Sequence, residues 1–136
     1  MANTVYIGPA ENHPDVSEYA ASEAISPGQV LVTSSGEFAL AGADQGGVVY
    51  FALENILEEV TDAYAIGDTV QGARPKSGEY YELTLAASQT IAKDAALTTD
   101  ASGNLVALGA GTNTVCYADE AVTTTGATGK IRVYVA

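Results

Sequence analysis

The sequence predicts an all-β fold: a small single-domain, β-barrel-like body of two loosely repeated strand-turn-strand units, an extended N-terminal arm, and at most one or two short helices. Three observations carry this. Short stretches rich in Val, Ile, Thr and Tyr are punctuated by Gly, Asp and Ser, the pattern of many short strands joined by turns. Two segments alternate apolar and polar residues strictly. A pattern of apolar and turn residues also recurs 66 positions further along the chain.

Residues 1–24 hold Pro9 and Pro14, few large apolar side chains and two scattered tyrosines. They predict an extended arm that orders against a partner. Tyr6, Ile7, His13 and Tyr19 are its candidate contacts with a partner or a sibling subunit. Pro14-Asp15 suits a helix start, so a short helix over Asp15–Ala24 is compatible with this stretch.

The body then runs over 25–136, with a pseudo-repeat of 25–56 in 91–122. Ile25-Ser26-Pro27-Gly28-Gln29-Val30-Leu31-Val32-Thr33 matches Ile91-Ala92-Lys93-Asp94-Ala95-Ala96-Leu97-Thr98-Thr99. Val49-Tyr50-Phe51-Ala52-Leu53-Glu54 matches Val115-Cys116-Tyr117-Ala118-Asp119-Glu120 at the same offset. Between them, Phe38-Ala39-Leu40 corresponds to Leu105-Val106-Ala107, displaced by one residue. Each copy reads as strand, Gly turn, strand, loop, strand. Leu53, Ile56, Leu57 and Val60 have helical spacing with Glu54, Glu58 and Glu59 outside them. The repeat favours strand for Val48–Leu53, leaving at most a helical turn or two over Asn55–Asp62.

Arg74-Pro75-Lys76-Ser77-Gly78-Glu79 is turn chemistry, because Pro fixes one dihedral and Gly permits a tight return. It predicts a hairpin, or neighbouring strands, from Asp68–Gln71 and Tyr80–Leu85. In the latter, Tyr81, Leu83 and Leu85 share one face. The last segment alternates likewise, with Ile131, Val133 and Val135 on one face and Lys130, Arg132 and Tyr134 on the other.

Seventeen acids against five bases give a formal net charge of −12. The distribution is uneven: residues 1–73 carry eleven acids and no Lys or Arg, and the remainder is nearly balanced. Phosphate-backbone binding rests on Lys and Arg displacing counterions, so nucleic acid is excluded as a partner. An anionic membrane surface is disfavoured for the same reason. No basic leader precedes an apolar stretch, and no run approaches 18 apolar residues, so the expectation is a soluble chain made in a cytoplasm.

Catalytic chemistry finds few residues to use. One histidine, His13, lies in the arm, and one cysteine, Cys116, sits in an apolar run where a buried, inert thiol is expected. A Ser-His-Asp or Cys-His site would have to use them. One His and one Cys do not make a zinc site. Thr124-Thr125-Gly126-Ala127-Thr128-Gly129-Lys130-Ile131 falls short of a phosphate loop, which needs Gly at the start and Ser or Thr at the end. The carboxylate pairs Glu58/Glu59, Asp62/Asp68, Glu79/Glu82 and Asp119/Glu120 lack the Trp platform of a sugar cleft. Asp100-Ala101-Ser102-Gly103-Asn104 lacks the EF-hand spacing and reads as a turn. The expectation is therefore a chain that is not an enzyme and holds neither metal nor cofactor.

Three stretches carry a resemblance. They are Tyr64-Ala65-Ile66-Gly67-Asp68-Thr69-Val70, the run Ile91–Val106 quoted in part above, and Ala118-Asp119-Glu120-Ala121-Val122 with the Thr/Gly-rich residues leading to Ile131-Arg132-Val133-Tyr134-Val135. In this order and spacing, residues 25–136 resemble the capsid decoration (cement) proteins of tailed bacteriophages. The resemblance implies a compact β-barrel-like body, commonly a homotrimer, on the exterior of an expanded capsid. There it would bridge major capsid protein subunits and stabilise the shell, as a virion component made in the host cytoplasm. The family has no catalytic motif to transfer. The competing reading is a receptor- or carbohydrate-binding β module, such as a head fibre base or an adhesin. On the capsid reading the arm is expected to order on the capsid, so that deleting residues 1–24 would lower capsid occupancy without unfolding the body.

Overall fold

The computed structural model describes residues 4–11, 13–56 and 62–136. Among these the regular structure is thirteen strands and no helix. The first half contributes β1 (Tyr6–Gly8), β2 (Asp15–Ala20), β3 (Val30–Ser34), β4 (Glu37–Leu40), β5 (Tyr50–Ala52) and β6 (Thr69–Arg74). The second contributes β7 (Tyr80–Leu85), β8 (Thr90–Ile91), β9 (Ala96–Thr99), β10 (Leu105–Ala107), β11 (Cys116–Ala118), β12 (Val122–Thr123) and β13 (Gly129–Tyr134).

Strands β7, β10, β9, β11 and β13 form a closed five-stranded barrel, because β13 pairs back onto β7 along its whole length. Strand alternation sends Tyr81, Leu83, Leu85, Ile131 and Val133 inward, and all five are fully buried. Closure removes the exposed edges of an open sheet. The first half repeats this path in the order β2-β6-β5-β3-β4. Its circle is brought together by one parallel bridge, Ala21 to Phe38. The counterpart in the second half is the parallel pairing of Leu85 with Leu105.

Backbone hydrogen bonds recur between the halves at the offset of the sequence repeat. Gly28 N–H donates to the Ala52 carbonyl at 2.8 Å, as Asp94 N–H does to Ala118 at 2.7 Å. Ala52 N–H donates to Gln29 at 3.0 Å, as Ala118 N–H does to Ala95 at 2.9 Å. Away from that offset by one or two residues, Ser22 N–H reaches Phe38 as Ala86 N–H reaches Leu105, both at 2.9 Å. Gly28 and Asp94 both take positive φ, 91° and 67°, so the same left-handed turn is made twice.

Each half has a core. Ile25, Leu31, Phe38, Tyr64 and Val70 fill the first. The opposite face of the same sheet, through Val30, Phe51 and Ala73, joins the core of the second barrel. The adjacent apolar pairs Val30-Leu31 and Phe51-Ala52 are therefore buried on both faces of their strands, where a half-solvated strand would alternate. Phe51 meets Tyr81 edge-to-face, with centroids 4.8 Å apart, and locks the halves together. At Gly72 an added Cβ would lie 2.6 Å from the Phe38 ring, so glycine is required for the ring to fill the first core.

Several expectations are corrected. No helix forms over Asp15–Ala24: residues 15–20 are β2, paired with β6 over six positions from Asp15–Arg74 to Ala20–Thr69. A strand is preferred here because Tyr19 and Val70 then point to the same side, over Phe38. The predicted arm is likewise laid into sheets, with Val5 and Ala21 buried. The segments flanking Arg74–Glu79 do not form a hairpin. β6 pairs with β2 and β5, whereas β7 pairs with β1, β10 and β13, so this turn is the crossover between the halves. Asn55 and Ile56 are not helical, and residues 57–61, the rest of the predicted helical turns, lie outside the described residues.

Candidate interaction surface

The four predicted contact residues are split between the halves. Tyr6 and Ile7 lie on β1, which docks antiparallel on the outside of the closed barrel at β7. Tyr6 meets Tyr81 edge-on at 5.3 Å and its hydroxyl donates to the Pro9 carbonyl at 2.7 Å. Ile7 is exposed. His13 is exposed in the following loop, and its carbonyl accepts from Lys76 Nζ at 3.4 Å. Tyr19 belongs to β2 of the first half, exposed and edge-on to Phe38 at 5.0 Å.

The structure deepens the charge asymmetry. In the second half Asp119 is shared between Arg132 (2.9 Å) and Lys93 (3.4 Å). In the first half Asp15, Glu18, Glu23 and Glu37 are all exposed, and among them only Asp15 has a cation partner, Lys76 at 3.4 Å. Glu18 instead accepts from the Gln71 amide at 3.1 Å, and Glu23 from the Leu40 backbone at 3.0 Å. The exposed apolar side chains Val16, Val48, Ile56 and Ile66 also sit in this half. Glu18, Ile56, Tyr64 and Gln71 line a shallow cavity of about 70 Å³ on the β2–β6 face.

No family model matches this chain, and no curated protein matches it. A solved structure does: the N base of head fiber gp8.5 in bacteriophage phi29, with a TM-score of 0.60 and 16% identity, covering 91% of this chain and 95% of that one. The two share a fold. The likeness spans both halves, so the duplicated architecture is common to this chain and the fibre base.

The residues considered for chemistry are occupied structurally. The Cys116 thiol is buried and pushed up by that burial. Glu79 is buried: its Oε1 accepts from the Tyr81 hydroxyl and the Lys76 backbone, both at 2.8 Å, while Oε2 accepts no hydrogen bond among the described residues. Glu120 caps the Arg132 backbone at 2.9 Å. Asp100 Oδ1 closes its own turn by accepting from Ser102 and Asn104 backbone N–H groups, at 2.8 and 3.0 Å. Glu58 and Glu59 lie outside the described residues. Among the described residues no three His, Cys, Asp or Glu come together to hold a metal ion.

Two cavities lie where the halves meet. One, of about 280 Å³, is lined by Ser26, Gln29, Thr84, Asn104 and Lys130. Lys130 Nζ donates to the Pro27 carbonyl and Thr84 Oγ1, both at 3.0 Å, and burial holds the amine below its ordinary range. Gly28 makes room for it: a Cβ there would lie 2.9 Å from Nζ. The other, of about 290 Å³, lies between Gln45–Gly47 and Thr112–Val115. Both are crossed by hydrogen bonds that join the halves. Sequence reasoning missed these joints, since their partners lie far apart in the chain.

Sequence reasoning also missed the bare strand β2. None of its six residues is buried, whereas β7 buries four of its six. The available signal was polarity: Asp15, Ser17 and Glu18 interrupt a segment with the β-forming residues Val16 and Tyr19.

Proposed function

We propose that this chain is a structural component of a bacteriophage virion, bound to the exterior of the capsid through the major capsid protein, with no catalytic role. The observation that carries this reading is the whole-length likeness to the phi29 head fibre base. A fold spanning nearly all of both chains, with both halves present, is what an attachment module of this kind needs: a rigid body with surface and edges to spare. The resemblance of residues 25–136 to cement proteins supports the same placement by a separate route. The two readings differ in what the module does once bound. A cement protein bridges capsid subunits, and a fibre base carries an appendage outward. We favour the base, because the likeness that supports it covers 91% of the chain. As a homotrimer the body would match a three-fold position of the lattice.

The test is to mix the purified protein with expanded, undecorated shells and image them by electron cryomicroscopy. The expected result is extra density at three-fold or quasi-three-fold positions of the outer surface. Shells that remain bare at saturating protein would overturn the proposal, and a specific glycan-array signal would favour a receptor-binding module instead.

A further inference from the structure

The duplication gives each strand of the second barrel a counterpart in the first, and one place is filled in only one of them. Leu53 N–H donates to Gln71 as Asp119 N–H donates to Arg132. Glu18 pairs with Gln71 as Glu82 pairs with Arg132. Glu18 of β2 is therefore the counterpart of Glu82 of β7. On β7, the Glu82 N–H points away from β13 and donates to the Val5 carbonyl at 2.7 Å, where β1 lies alongside. On β2, Ala21 N–H donates toward β6, to Asp68, and Ser22 N–H donates the other way, to Phe38. Alternation along the strand then aims the N–H groups of Val16, Glu18 and Ala20 outward, away from β6. No described residue bonds to these outward groups.

We propose that this edge receives an extended, Lys- or Arg-bearing segment of the capsid shell as an added strand, in the position that β1 fills on the second barrel. The inference rests on the capsid reading for its partner and on the fold alone for its place. An edge with unpaired N–H and C=O groups is a template for strand addition, in which main-chain bonds supply affinity and flanking side chains supply selectivity. The flanking side chains here are acidic: Asp15 and Glu18 on the strand, with Glu23 and Glu37 at the neighbouring β4 side, all exposed. They select a basic segment. A second copy is disfavoured as occupant, because each chain carries a net −12 and none of the first 73 residues is Lys or Arg.

Two probes test this. The first is the expanded shell, with the full chain, Val16→Pro and Val16→Thr. Proline removes an outward N–H and leaves the β2–β6 ladder intact, and threonine keeps the N–H. Wild type and V16T should bind shells alike, more weakly as salt rises, and V16P should bind at least tenfold more weakly. Residues 14–22 should slow in amide exchange when bound. The second probe is a peptide carrying Thr4–Gly8 flanked by lysines, followed by amide NMR. It should shift Val16, Glu18 and Ala20 in wild type and not in V16P. A folded V16P that decorates shells like wild type, or unchanged exchange of 14–22 on binding, overturns the edge inference and leaves capsid attachment standing. Shells that bind no form of the protein overturn attachment, and the peptide then decides the edge by itself: no shift on β2 rejects it. Self-association that V16P abolishes would make the occupant a second copy and reject the proposed partner.

Discussion

Asp44 and Asn113 are clasped twice: the Asp44 carboxylate accepts the Asn113 backbone N–H at 2.9 Å, and the Asp44 carbonyl accepts the Asn113 side-chain amide at 2.9 Å. The same carboxylate accepts from the backbone and hydroxyl of Thr112, at 3.1 and 3.0 Å. The loop after β4 is thereby tied to the loop after β10, across the joint between the halves. The backbone donors of Asn113 and Thr112 hold the carboxyl below its ordinary range.

This clasp makes stability acid-sensitive. The folded-state pKa of Asp44 is depressed, so its contribution is complete above the unfolded aspartate value of about 3.9 and is lost as pH falls through the folded value. Asp44→Asn should lower the urea midpoint at pH 7. The gap to wild type should close as pH drops below about 4. A gap that stays constant down to pH 2 would separate the clasp from the carboxylate charge.

Gly72→Ala forces a methyl group against the Phe38 ring in a filled core. Overpacking of this kind costs about 1–3 kcal/mol, to be read from the shift in urea midpoint. Gly126→Ala, where nothing lies within 4 Å of the added Cβ and φ is not positive, as at Gly72, is the control for a methyl group added without a clash.

Tyr64 donates its hydroxyl to the carbonyls of Leu53 (2.7 Å) and Glu54 (2.8 Å). Its phenol is pushed up to about 12, chiefly by burial. Tyr64→Phe should cost about 1–2 kcal/mol at neutral pH by leaving a buried acceptor unmet. Because the folded pKa is raised, the phenol's contribution is complete below the unfolded value of about 10 and disappears as pH rises toward the folded one. The difference between wild type and variant should therefore shrink above pH 10 in alkaline denaturation.

Truncation separates the two N-terminal strands. Removing residues 1–14 deletes β1, exposes the Tyr81 side of β7, and should leave a folded, less stable protein. Removing residues 1–24 also deletes β2 and the buried Ala21, and should abolish cooperative unfolding of the first half. Circular dichroism and thermal melts distinguish the two. This replaces the expectation that the first 24 residues can be lost without unfolding the body.

Much of the strand pattern was legible in local sequence. Tyr81, Leu83 and Leu85, and Ile131 and Val133, read as inward-facing from alternation alone, and all five are buried. The 66-residue recurrence marked the strands that became β3 with β9 and β5 with β11. Strand β2 was misread because Pro14-Asp15 is locally compatible with a helix start, and only pairing with β6, 49 to 59 residues away, decides for strand. The break between β6 and β7 was misread for the reverse reason: Pro75 and Gly78 specify a turn, and a turn alone does not say whether its flanking strands pair.

The sequence by itself determined the class of fold, the repeat, and a net charge of −12 concentrated in the first half, since each is a property of composition or of near neighbours. Only the tertiary structure decided that each circle of strands is brought together by one parallel pairing, that no described residue covers the outer side of β2, and that Asp44 clasps Asn113. Those outcomes depend on which strands find each other across long stretches of chain. Hydrogen bonding between backbones is blind to side-chain identity, so pairing is settled by how the whole set of apolar faces can be buried at once.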